Sequence, residues 1–167
     1  MNLIFFNIFI LQQNKSIEER IWVSNHHKLT KFDSENRFRV YVTRDSREFF
    51  QRLSNPFRLD QPGMWNDRKL VITLYRTWLY HMLYNFGNNP HKEAFYKLVD
   101  RLTYPQKQWD LELVCYCKPK ECHADVLREF LIKEVEKRMR ILNNGFEKRI
   151  SFLNNPIWNK EEPMEID

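Results

Sequence analysis

Leu111-Glu-Leu-Val-Cys115-Tyr-Cys117-Lys-Pro119-Lys-Glu-Cys122-His123-Ala-Asp125-Val-Leu127 is the stretch that decides the fold. An alternating apolar run leads into Cys115 and Cys117 and predicts a strand over 111–117. A turn around Pro119 follows, and Cys122-His123 then opens an amphipathic helix. Soft, ionisable side chains thus meet at the carboxyl end of a strand and the amino end of a helix. Ligands and chemistry collect at such places in open α/β sheets. All 3 cysteines of the chain fall within this stretch.

Outward from that stretch, Ala124 to about Asn143 predicts the longest helix, with Leu127, Phe130, Leu131, Val135, Met139 and Leu142 as its stripe. Arg37-Phe-Arg-Val-Tyr-Val-Thr43 alternates and predicts a second strand. In Ser54-Asn-Pro-Phe57 the proline bars helix across Asn55. Gln61-Pro-Gly-Met64 signals a turn, and Asp67 can cap a helix over Arg68–Tyr84 whose face carries Val71, Leu74, Tyr75, Trp78 and Met82. A shorter helix over His91–Leu102 turns Phe95, Leu98 and Leu102 inward and stops at Tyr104-Pro105. Residues 12–36 are polar and broken, a helix around Ile17–Val23 followed by loop.

Strands alternating with helices, and no hairpin signal, predict a single compact α/β, Rossmann-like layered domain with a small, mostly parallel sheet. The expected organisation is an extension over 1–36 packed on the domain, the α/β domain over 37–145, and a C-terminal extension over 146–167 with an acidic tail.

Composition narrows the function classes. With 43% hydrophobic and 15% aromatic residues, a chain of 167 can bury one full core. Only Gly63, Gly87 and Gly145 are present, which excludes a Gly-rich phosphate loop or dinucleotide fingerprint. Scarce Gly and Ala beside abundant Asn, Lys, Phe and Ile suggest an AT-rich genome, as many viruses have. The net charge of +5 is uneven, and residues 37–76 hold nine Arg/Lys against four Asp/Glu. A basic stretch of this kind suits an anionic partner, or is a solvated face. The odd, clustered cysteines argue against a disulfide scaffold. Leu3–Leu11 is apolar but broken by Asn7, and too short to span a bilayer. The expected location is cytoplasmic, in host cytoplasm or virion were the source viral, with no membrane span.

Arg39-Val-Tyr-Val, Ser54-Asn55-Pro56-Phe57, Asp67-Arg68, Tyr75-Arg-Thr-Trp78-Leu79 and Leu113-Val-Cys115-Tyr-Cys117-Lys-Pro119-Lys-Glu-Cys122-His123-Ala-Asp125-Val126-Leu127 together form a pattern. It resembles the domain of unknown function 4326 family. That family runs a V-Y strand, G-N-P-F, an Arg before a Y-x-x-W-L helix, and C-W-C-x-P-x-x-C-H-x-D-V-L. Ser54 stands where the family has glycine and Tyr116 where it usually has Trp. The insert before Asn55 is longer than typical. The resemblance implies that Asn55, Arg68 and the Cys/His motif lie near one another. It brings no settled reaction with it.

The Cys/His group admits three chemistries. In the first it is a pocket. Cys122 at a helix start has its thiol lowered by the helix dipole and serves as nucleophile or ligand. His123 is then the acid/base partner and Asp125 orients the imidazole. Asn55, Arg44, Arg58, Arg68, Cys115 and Cys117 hold a small anionic, nucleotide-like ligand. In the second, Cys115, Cys117, Cys122 and His123 bind zinc without catalysis. The spacing is tight for this, and adjacent Cys122 and His123 seldom both reach one ion. In the third, the cysteines simply pack.

Two further readings are weaker. His91-Lys-Glu93 matches the H-x-E of nucleobase deaminases, but the cysteine spacing departs from theirs, and a polar first turn of a helix explains it better. Tyr41, Phe57, Trp65, Tyr75 and Trp78 among the arginines would suit single-stranded nucleic acid, although Tyr75 and Trp78 fall on a core stripe.

Overall fold

The computed structural model describes residues 15–29, 35–44, 49–63, 66–104 and 106–154, the last nine of these for backbone only. The apolar opening 3–11, Met64, Trp65, Pro105 and the acidic tail 160–167 lie outside the described residues.

The element order is α1 (Ile17–Arg20), β1 (Ile21–Asn25), β2 (Arg37–Tyr41), a 3-10 turn (Phe49–Leu53), α2 (Arg68–Tyr80), α3 (Pro90–Leu102), β3 (Asp110–Cys115) and α4 (His123–Asn154). A π-helical turn, His81–Asn85, extends α2. The three strands form one sheet in the order β1-β3-β2, parallel throughout. This is the expected α/β layered fold with a small parallel sheet.

β3 is central because it alone is buried along its whole length. Leu111 and Leu113 pair with Ile21 and Val23 on one side and with Phe38 and Val40 on the other. These six side chains form the floor on which Tyr75, Leu79 and Leu83 of α2 and its extension, Phe95, Leu98 and Leu102 of α3, and Leu127, Leu131 and Val135 of α4 pack. Each fully buried Leu or Phe contributes about 1.5–3 kcal/mol. Asp67 caps α2 as the sequence predicts, accepting from the Leu70 N–H at 3.0 Å, while α3 starts one residue before the expected His91, with Asn89 as its cap and Pro90 at its first position.

Three features differ from the sequence expectation. Residues 21–25 continue not as helix but as strand β1. A capping box, Ser16 with Glu19, starts α1, but the helix lasts one turn before β-branched Ile21 and Val23 find partners on β3. Secondly, β3 stops at Cys115, and Cys117 sits in the turn that follows. Thirdly, α4 continues past Asn143 to Asn154, with Ile141 and Leu142 exposed at 62% and 54%.

Two buried charges tie the frame. Arg20, 1% exposed, donates to the carbonyls of Leu102 (3.0 Å) and Trp109 (2.7 Å), joining α1 to the chain entering β3. Glu112, also 1% exposed, is met across the sheet by Arg39 at 2.7 Å. Among the described residues no helix is long and apolar enough to cross a membrane.

Candidate metal centre and adjoining cavity

β3 delivers Cys115 at its last residue, the turn 116–119 presents Cys117, and Cys122 and His123 stand at the start of α4. The turn contains a cis Lys118–Pro119 bond, and its Lys118 carbonyl accepts from the Asn25 side chain at the end of β1. The Cys122 carbonyl accepts from the Asp125 N–H (3.1 Å), and its sulfur accepts from the Ala124 N–H (3.4 Å). Cys122 is therefore the capping residue of α4, and its sulfur is directed by the helix end.

The result is a Cys3His cluster whose three sulfurs and one ring nitrogen lie within 4.8 Å of one another, close enough to coordinate a metal ion. Tetrahedral zinc with sulfur bonds of about 2.3 Å holds its sulfurs about 3.8 Å apart, so the set needs only a small contraction. The tight spacing, expected to keep Cys122 and His123 from one ion, does not do so. Cys122 precedes the helix while His123 is its first residue, so the backbone turns between them and both side chains converge.

The His123 ring supplies the fit. Nδ1 lies 3.6 Å from the Cys115 sulfur, while Nε2 donates to the Val42 carbonyl at 2.9 Å. That second hydrogen bond fixes the ring and turns Nδ1 toward the sulfurs, the arrangement metal-bound histidines adopt. The Tyr75 ring meets the imidazole edge-on at 5.2 Å, and the Tyr75 hydroxyl is committed to the Leu53 carbonyl at 2.7 Å.

Charge within the cluster is unevenly shared. Hydrogen bonds from Cys115 and Cys122, then from His123, hold the Cys117 thiol below its ordinary value. Hydrogen bonding with Cys115 and Cys117, added to burial, pushes the Cys122 thiol up. For His123, burial opposes the charged form, but hydrogen bonds with Cys115 and Cys117 outweigh it and raise the imidazole to about 9. The shift on Cys122 runs opposite to the lowering expected of a thiol at a helix start. Cys122 is 2% exposed and lies among the other thiols, while Cys117 is half-buried.

A cavity of about 290 Å³ opens beside the cluster at the carboxyl ends of β2 and β3. Cys115, Cys117 and His123 form part of its wall, and Asn55, Arg44, Arg58 and Arg68 complete the polar side. The structure therefore brings together all six residues expected to hold a ligand. It does not bring Cys122 and Asp125 to that cavity. Both line a groove on the other side, between α2 and α4. Asp125 takes Lys118 at 2.7 Å, and both nitrogens of the His123 ring are committed elsewhere, so Asp125 does not orient the imidazole.

Asn55, 6% exposed, accepts from the Phe57 N–H at 2.9 Å and shapes the loop entering the cavity. Arg58 grips Asp60 through two 3.1 Å hydrogen bonds. Those bonds, with Arg44 nearby, hold the fully exposed Asp60 carboxyl below its ordinary value. Arg68 donates to the Glu121 carbonyl at 3.3 Å.

Sequence reasoning missed three participants. The Val42 carbonyl left no side-chain signal. Asp60 sits two residues from Arg58 and could have been read as its partner. Tyr116 stands between two cluster cysteines and lines the cavity at 43% exposure.

The remaining candidates have structural roles. Tyr75 is fully buried, and Trp78 packs against it and His91. In the stretch 39–76, Arg39 pairs with Glu112, Arg52 with Glu93, Arg58 with Asp60 and Arg76 with Glu129. Four of the eight Arg/Lys in this stretch thus have a carboxylate partner, while Arg44 and Arg68 stand on the cavity wall. His91 contacts the Arg52 carbonyl and Glu93 pairs with Lys97, as a polar first turn does.

No curated protein and no solved structure matches the chain. A family profile described as Domain of unknown function (DUF4326) matches residues 25–133, from the end of β1 through the Cys3His cluster and into α4. The chain belongs to the DUF4326 family.

Proposed function

We propose that this domain binds a small anionic, nucleotide-like ligand in the cavity beside a structural zinc centre formed by Cys115, Cys117, Cys122 and His123. Three thiolates and an imidazole are the donor set that selects zinc. Four protein ligands fill a tetrahedral shell and leave no open position, the mark of a structural rather than a catalytic site. A divalent ion with three thiolates carries a net charge of −1, so the ion does not draw the anion. The arginines do, and Asp60 already occupies part of their field.

The observation that carries the reading is the meeting of Arg44, Arg58, Arg68 and Asn55 with Cys117 and His123 around one cavity. A cavity at the carboxyl ends of parallel strands is the usual ligand position in such sheets. The test joins metal analysis by plasma mass spectrometry to calorimetric titration with phosphate-bearing ligands. About one equivalent of zinc is expected, with binding lost on Arg68→Gln while zinc is retained. Binding unchanged in Arg68→Gln, or protein purified metal-free with all thiols reactive, would overturn it.

One observation favours a second reading. Cys117 is a half-buried thiol on the cavity wall that its neighbours hold below its ordinary value, which suits thiol-based catalysis. Rapid alkylation of Cys117 at neutral pH in protein as purified would favour it over the zinc centre.

A further inference from the structure

Phe57 and Tyr116 are the aromatic side chains on the cavity wall among the described residues. They differ in availability. Phe57 packs against the core, whereas Tyr116 is 43% exposed. Nor is Tyr116 free to swing. Its ring lies 4.2 Å from that of His26, tilted by 32°, and its hydroxyl is 3.3 Å from His26 Nε2. His26 is backed in turn by Tyr41 at 5.8 Å, and His27 closes on Tyr116 at 5.5 Å. The backbone on both sides of Tyr116 belongs to cluster cysteines. A partly exposed tyrosine held against His26, on a residue that lines the same cavity as Arg44, Arg58 and Arg68, makes a two-part recognition surface. Arginine suits phosphate and a fixed aromatic ring suits a heterocycle.

We infer that the ligand is a nucleoside monophosphate, with its base on Tyr116 and its phosphate among Arg44, Arg58 and Arg68. This rests on the anionic-ligand reading above and adds the ligand's other half. The cavity of about 290 Å³ lies at the small end of ligand sites, which fits one nucleotide and not a dinucleotide. Tyr116 is then the residue that sets specificity for a base over a bare sugar phosphate.

The experiment is calorimetric titration of the zinc-loaded full chain with the four ribonucleoside 5′-monophosphates, ribose 5-phosphate and a tetranucleotide. The same series is run on Tyr116→Leu and Tyr116→Trp, with zinc content as the check that the turn is intact. At least one nucleoside monophosphate should bind about ten-fold more tightly than ribose 5-phosphate. That preference should fall to within about two-fold in Tyr116→Leu and persist in Tyr116→Trp, while ribose 5-phosphate binding stays constant. Equal binding of nucleotides and ribose 5-phosphate by the wild type would overturn the inference and leave the anionic reading standing. So would a preference that survives Tyr116→Leu. Tighter binding of the tetranucleotide than of any monomer would overturn it in favour of nucleic acid. Failure of every phosphate compound to bind would remove the anionic reading itself.

Discussion

The His123 imidazole and the Val42 carbonyl are joined by a 2.9 Å hydrogen bond from Nε2, which leaves Nδ1 to face the sulfurs alone. A backbone group one residue past β2 thus orients a side chain at the start of α4, and the edge of the sheet sets the geometry of the cluster.

His123→Ala should lose zinc and strand the Val42 carbonyl in the core. An orphaned buried acceptor costs about 1–3 kcal/mol, and the emptied volume adds to it. Metal content and urea denaturation would measure both, and stoichiometric zinc in this variant would show that His123 is not a ligand.

The metal-free protein should show a stability plateau between about pH 6.5 and 9. His123 is raised from 6.5 to about 9, so its contribution is complete below pH 6.5 and fades as pH rises to 9. Cys117 is lowered from 9.0, so its contribution grows over the same interval and offsets that loss. Below pH 6.5 the unfolded histidine takes a proton that the folded pair has no room for, and stability falls. Above pH 9 the unfolded Cys122 ionises while the folded one, raised from 9.0, does not, and stability falls again. Denaturant midpoints across pH 5.5–10 would test this. A steady slope between 6.5 and 9 would contradict the thiolate–imidazolium pairing.

Asp60 competes with any anion for Arg58 and Arg44. Asp60→Asn should therefore tighten binding of a phosphate-bearing ligand about three- to ten-fold at low salt, with the gain shrinking toward 1 M salt as screening removes it. Titration at two salt concentrations would decide, and weaker binding in this variant would count against the arginine site.

Arg39 and Glu112 should behave as a buried pair. Arg39→Met leaves the 1% exposed Glu112 carboxylate without this guanidinium and should cost about 3–5 kcal/mol. Adding Glu112→Leu should recover most of that loss in thermal or urea unfolding. An additive double variant would show that the two residues are not coupled.

Local chemistry made much of this legible beforehand. The alternation in Arg37–Tyr41 and Leu111–Cys115 marks strands because side chains alternate across a sheet with period two. Asp67 marks a helix start because its short oxygen reaches an unpaired N–H group. The polar members of the pocket could be named as well, since Asn55 and Arg68 belong to the pattern that resembles the DUF4326 family, and Arg44 and Arg58 lie in the same basic stretch. β1 was not legible. Ile21–Asn25 is short and follows a genuine capping box, so its strand state depends on a β3 partner some ninety residues away.

The sequence by itself determined which residue types would gather at the end of β3, because strand, proline turn and helix start are each written locally. Tertiary structure alone decided what they do together. It placed Cys122 and His123 within reach of one ion and turned the His123 ring through the Val42 carbonyl just past β2. It also divided the expected site between two faces of the cluster. Each of these outcomes depends on distances between atoms far apart in the chain, and electrostatics and coordination respond to distance in space, not to separation in sequence.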